Sequence, residues 1–172
     1  MERSNDACRS TEINMESQNY LRIMIDSLQK KKEILQRVVS YNEEQQRILE
    51  SDTFNGDLFE YNMQKKSECI DELNSLDEGF QSVYDRIKAD VEQYKQRYKG
   101  DIKEMQELIK EVTALSATIQ AQEARNKVKV EFKFRQLRED AKTAKRSVSM
   151  ANKYYQNMSK ISSEPQFMDK KK

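Results

Sequence analysis

From Leu21 to Leu49 one row of side chains recurs in alternating steps of three and four: Leu21, Met24, Leu28, Lys31, Leu35, Val38, Asn42, Gln45, Leu49. At 3.6 residues per turn this spacing keeps the row on one face of an α-helix, whereas a strand repeats every two residues. A stripe this narrow is covered by another helix, as in a coiled-coil seam. The pattern then returns. A second stripe runs Cys69, Leu73, Leu76, Phe80, Val83, Ile87, Val91, Tyr94, Tyr98. A third starts at Ile102, Met105, Leu108, Val112, Leu115 and Ile119, turns polar at Gln122 and Asn126, and resumes through Val130, Phe134 and Leu137 to Met158. Three such stripes predict an all-α fold: an elongated antiparallel bundle or coiled coil of three long helices, or four if the third is broken.

Composition agrees. Only 36% of the 172 residues are hydrophobic and 35% are charged, too lean for a broad globular core but enough for helices that each bury one stripe. Three glycines, one proline and no tryptophan leave few helix breakers. Residues 1–11 have no pattern and read as a flexible tail; a helical period begins at Thr11. Helix one is expected over residues 12–50. The run SDTFNGD at 51–57 contains Asn55-Gly56, a turn dipeptide, and Asp57 is placed to cap the next helix. Helix two then spans 57–98. Gly100 fits a helix C-terminus and Asp101 a new N-cap, with Glu104 three residues on, so a turn is expected at 99–101. Helix three covers 101–160. At ~1.5 Å per residue it outruns the hairpin of the first two and must bend near Gln122–Asn126 or project. Pro165 ends helical pattern, leaving 161–172 as a second flexible tail. Gly79, inside helix two, is either a close-approach point or a tolerated weak spot.

The chain lacks the usual apparatus of catalysis. There is no histidine, no phosphate-cradling glycine loop, and no partnered nucleophile. Paired carboxylates such as Asp71/Glu72 and Asp77/Glu78 read as solvated helix faces. Cys8 and Cys69 alone cannot supply a structural zinc site. A non-enzyme without cofactor or metal is expected. The first residues lack an apolar leader core and no run of 18 apolar residues occurs, so a cytoplasmic protein without membrane insertion is expected.

Charge is unevenly placed. Residues 1–124 hold 17 Lys and Arg against 25 Asp and Glu; residues 125–172 hold 14 against 5. The basic part opens with ARNKVKVEFKFRQLR, where Phe132 and Phe134 sit among cations. Nucleic-acid binding through such a stripe is physically allowed, but the whole-chain pI of 7.6 and the acidic first two helices oppose it. A membrane-surface helix needs bulkier apolar residues than the Leu137, Ala141, Ala144, Val148, Ala151 stripe offers. A stripe of that kind is most often filled by a helix, from the same chain or another.

Three segments carry a family resemblance: YLRIMIDSLQKKKEILQRVVSYNEEQQRIL, KKSECIDELNSLDEGFQSVYDRI and MQELIKEVTALSATIQAQEARNK. Over roughly residues 18–158 the chain resembles the FlgN-like flagellar type III export chaperones. The resemblance implies a cytosolic chaperone that binds hook–filament junction proteins through an amphipathic C-terminal helical segment. It would hold them back from premature assembly and deliver them to the export apparatus. Carried onto this sequence, the partner-binding positions are Leu115, Ile119, Val130, Phe134, Leu137 and Val148. The strongly basic character of 125–146 departs from the family pattern. The competing expectation is a structural coiled-coil homodimer or adaptor.

Overall fold

Leu21, Met24, Leu28, Leu35, Val38 and Leu49, the apolar members of the first stripe, are all buried. They belong to α1 (Arg3–Glu50), which is followed by α2 (Gly56–Gln93), α3 (Lys99–Gln136) and α4 (Ala141–Met158). The computed structural model describes the backbone of residues 3–138 and 141–158, and the side chains of 15–138 and 145–158. The fold is all-α: three long helices, each antiparallel to the next, and a short fourth. The C-terminal tail expected at 161–172 lies outside the described residues, as do the side chains of Cys8, Thr11, Ala141 and Ala144.

Helix boundaries differ from expectation in ways the local chemistry explains. α1 begins at Arg3, so most of the segment read as a tail at 1–11 is helical. No glycine or proline occurs before residue 56 to stop it. At the first turn Asn55, not Asp57, is the cap: its backbone is extended and its side-chain oxygen accepts the Leu58 N–H at 3.1 Å. Gly56 opens the helix, and Asp57 sits in the first turn, where its charge complements the helix dipole. The second turn falls at 94–98, upstream of the expected 99–101, and Gly100 and Asp101 lie in the first turn of α3. Tyr98 sets this position. It is buried, and its hydroxyl donates to Asp90 at 3.1 Å, folding the turn around its ring.

The long third helix is two helices. Of the two expectations, a bend near Gln122–Asn126 or a projecting end, neither holds: α3 runs unbroken through Gln122–Asn126 and the chain reverses beyond Leu137. The polar seam does not bend because Asn42 donates to Gln122 at 3.2 Å and Asn126 donates to the Asn42 carbonyl at 2.9 Å. Two polar stretches on separate helices bond to each other, with Asn42 Oδ1 left without a partner among the described residues.

Cross-helix pairs fix the order of packing. Lys31–Asp77 and Arg37–Glu72 run α1 and α2 in opposite directions. Arg22–Glu104, Lys32–Glu111 and Lys129–Glu50 run α1 and α3 together. α4 folds back beside α2, where Ser147 donates to Glu60 at 3.3 Å. One end of the rod is therefore a three-helix bundle around Leu21, Met24, Leu28, Phe80, Ile87 and Leu108. The other has four helices around Val38, Phe59, Ile70, Ile119, Phe134 and Tyr154. Phe54, Phe59 and Phe134 close that end in edge-to-face and tilted contacts, with centroids 5.5 to 6.2 Å apart.

Gly79 is exposed within α2, and a Cβ added there would meet nothing within 4 Å. It is a weak spot with no close approach to accommodate. Gly79→Ala is expected to stabilise the protein by about 0.5–1 kcal/mol. That corresponds to a rise in Tm of about 1–4 °C, read by circular dichroism; an unchanged or lowered Tm would contradict it.

Candidate partner-binding groove

The residues that hold α4 in place begin on α2. Continued backwards from Cys69 in steps of three, four and three, the second stripe meets Lys66, Asn62 and Phe59, all three fully buried. Lys66 lies at the centre of the four-helix end. Its Nζ is 2.8 Å from Oε1 of Glu123 on α3 and donates to Oε1 of Gln45 on α1 at 3.1 Å. It also stands 4.1 Å from the centre of the Tyr154 ring on α4. The Tyr154 hydroxyl donates to the same Glu123 oxygen at 2.5 Å. Asn126 donates to Gln45, and Gln45 donates to the Met63 sulfur. One ammonium thus has a partner on each of the other three helices.

Burial pushes the Lys66 ammonium down to about 8 from its ordinary 10.5, against the pull of Glu123. It remains charged at neutral pH and balances the buried carboxylate. Burial, reinforced by Glu123, pushes the Tyr154 hydroxyl well above its ordinary value and keeps it a donor.

This anchoring sets the rotation of α4. Ser147, Ala151 and Tyr154 point inward and are buried, while Val148 and Tyr155 turn toward α3. Between α3 and α4 the surface forms a groove of about 600 Å³. Its floor is Val130, Phe134, Val148, Ala151 and Tyr155; its rims carry Lys127, Arg135, Arg138 and Lys145, with Glu131 the one acid in the lining. Arg135, Arg138 and Lys145 pair with no carboxylate among the described residues. Lys127 lies 5.8 Å from the Tyr155 ring centre. The Tyr155 hydroxyl is buried with no hydrogen-bond partner among the described residues. Burial, then Glu123 and Glu131, hold it far above its ordinary ionisation, so it stays a donor.

The six sequence-designated positions divide. Val130, Phe134 and Val148 meet in the groove, the first two as mostly buried floor and Val148 at 36% exposure. Leu137 is half-buried against the core beside it. Leu115 and Ile119 lie farther along α3; Ile119 is core and Leu115 packs against it. The two phenylalanines separate as well: Phe134 is buried in the aromatic cluster, while Phe132 is 56% exposed on the outer side of α3 near exposed Val128.

Compared with protein-family models, with curated proteins and with solved structures, the chain matches none. Among the described residues no helix is long and apolar enough to cross a membrane, and no three His, Cys, Asp or Glu side chains gather as metal ligands would. Cys69 is free and buried.

Lys66, Glu123 and the inward Tyr154 escape a reading that seeks apolar seams. The signal for Lys66 was the heptad step itself. The alternating steps of the third stripe lead from Ala151 to Tyr155, but the structure buries Tyr154 instead, where its hydroxyl donates to Glu123.

Two measurements test the buried cluster. Lys66→Met strands the Glu123 charge and is expected to cost about 3–5 kcal/mol in urea unfolding. Adding Glu123→Gln, which removes the charge but keeps an acceptor for Tyr154, is expected to restore most of that loss; an equally unstable double variant would contradict the pairing. The pH dependence follows from linkage. The folded chain gives up the Lys66 proton more readily than the unfolded chain, so its penalty on folding is full below about pH 8 and is relieved up to about pH 10.5. Stability is therefore expected to rise by on the order of 2 kcal/mol from about pH 7.5 to 9.5. It should fall above about pH 10, where Tyr154 ionises in the unfolded chain but not in the folded one. A flat profile between about pH 7.5 and 9.5 would remove the buried ammonium from the account.

Proposed function

We propose that this chain is a non-catalytic helical carrier that holds a segment of another protein in the groove between α3 and α4. The observation that carries the reading is the meeting of Val130, Phe134 and Val148 in one furrow between α3 and α4, the first two largely buried and Val148 partly exposed, while Ile119 of the same stripe is core. An apolar furrow between two antiparallel helices suits a third helix laid into it. Covering the apolar stripe of a partner in this way removes area from water at ~25 cal/mol per Å² and keeps that partner from aggregating. The chain holds no nucleotide-binding loop, so release falls to whatever receives the partner.

The narrower reading, a cytoplasmic chaperone of flagellar type III export that delivers hook–filament junction proteins, is supported by the sequence resemblance over roughly residues 18–158 and by the bundle architecture that resemblance implies. Calorimetric titration of purified junction proteins into the full chain tests it. A 1:1 complex is expected, weakened tenfold or more by Val148→Asp, whose side chain is partly exposed, with the Tm of the chain nearly unchanged. Ile119→Asp, a core change, should instead lower the Tm. Absence of binding, together with a stable dimer by light scattering, would replace the chaperone with a structural homodimer.

A further inference from the structure

We infer that the groove takes an acidic amphipathic helix of about two to three turns, an inference that rests on the groove being a partner site. The dimensions come from the walls. Along α3 the lining runs from Lys127 to Arg135, with Arg138 in the turn beyond, and along α4 from Lys145 to Tyr155. At ~1.5 Å per residue the spans are about 12 and 15 Å, between two and three turns of helix. The floor offers side chains at helical intervals from both walls, Val130 and Phe134 from one and Val148, Ala151 and Tyr155 from the other. Knobs spaced three, four and seven residues apart on an incoming helix fit between such rows.

The charge of the occupant follows from the rims. Among the described residues four cations flank the floor against Glu131, and Arg135, Arg138 and Lys145 pair with no carboxylate among them. Elsewhere some cations are engaged across helix interfaces, as Lys31 is with Asp77, Arg37 with Glu72 and Lys129 with Glu50. Three open cations beside an apolar floor select a helix with Asp or Glu along both edges of its apolar face. Residues 34–76, which form the α1 and α2 side of this same end, hold 4 Lys and Arg against 9 Asp and Glu, so the cationic rims are a local feature of α3 and α4. An apolar floor is of no use to phosphates.

The test is fluorescence anisotropy on the full chain with a labelled, end-capped 16-residue helical peptide bearing leucines at i, i+3, i+4, i+7 and i+11 and glutamates along both edges. Saturable binding is expected that weakens as salt is raised. The same peptide with every Glu replaced by Lys, and a scramble of equal composition that disperses the leucines, are each expected to bind at least tenfold more weakly. Arg135→Glu combined with Lys145→Glu, both exposed positions, should cost tenfold or more without changing the Tm, and Lys110→Glu, remote on α3, should cost nothing. Equal binding of the scramble, indifference to Arg135→Glu/Lys145→Glu, tighter binding of duplex DNA or of anionic vesicles, or self-association blocked by the double variant would each overturn the inference. Junction proteins that bind with no contribution from Arg135 and Lys145 would refute the acidic helix and leave the carrier standing. An acidic peptide that binds where junction proteins do not would refute the flagellar reading and leave the groove.

Discussion

A single buried ammonium holds the four-helix end together. Lys66 has no contact with water, and its three partners, Gln45, Glu123 and the Tyr154 ring, come from α1, α3 and α4. An ion pair in such a place adds little net stability compared with well-packed apolar residues, because desolvating both charges offsets their attraction. Its effect is on alternatives. A four-residue slip of α2 or α3 would strand an ammonium or a carboxylate in the core, and a slip of α1 or α4 would withdraw Gln45 or Tyr154 from the pair. An apolar seam of Leu, Val and Ile tolerates such slips far better, since one aliphatic knob replaces another. Asn42, Gln45, Asn62 and Asn126 extend the same constraint through neighbouring layers, each bonded across a helix interface.

The groove is a by-product of that constraint. With Tyr154 drawn inward to Glu123, the adjacent Tyr155 and the residue seven positions earlier, Val148, must turn about 100° away, toward α3. They meet Val130 and Phe134 there without closing on them. α4 is also short. It covers only the end of the bundle where the polar layers lie, and the remainder of the rod manages as three helices around a separate apolar cluster. The two ends thus differ in helix number and in what they leave open.

Much of the architecture was legible because a heptad step is a strong geometric statement. The burial of Leu21, Met24, Leu28, Leu35, Val38 and Leu49 follows from their spacing alone, as does the antiparallel hairpin of α1 and α2. Asn42 and Gln45 are the polar amides in the first stripe, and each bonds across a helix interface. Turn positions were less legible. Gly100 and Asp101 have the right chemistry for a helix junction, yet Tyr98 moves the break upstream, because burying an aromatic ring outweighs a cap worth about 1 kcal/mol. The division of the third stripe at 137–140 was hidden for a related reason: Ala141, Val148 and Ala151 keep the period running across a point where the chain turns back. Of the groove, the floor positions Val130, Phe134 and Val148 were named, but Leu115 and Ile119 were grouped with them. One-dimensional periodicity shows that a stripe needs cover and says nothing about which helix supplies it.

Phe132 and Phe134 show how far the local sequence leaves the question open. Two positions apart on a helix, they point about 160° from one another by geometry alone, and the fold gives them opposite roles. Phe134 completes an aromatic cluster with Phe54 and Phe59 that seals the end of the core, and its inner edge forms groove floor. Phe132 remains in solvent on the far side of Arg135. The basic run between Arg125 and Arg146 is likewise not one patch. Lys129 and Lys133 turn back to Glu50 and the Ser51 carbonyl, fastening α3 to the end of α1, and Arg146 leans on Glu60. Lys127, Arg135, Arg138 and Lys145 are the ones left facing the groove. A stretch that reads in sequence as a uniform cationic helix is sorted by the bundle into structural cations and open ones, and four of the described cations line the edges of the groove floor. Sorting of that kind distinguishes a shaped recognition surface from a merely basic segment, because both the sign of the charge and its distance from apolar contact are then set by the same four helices.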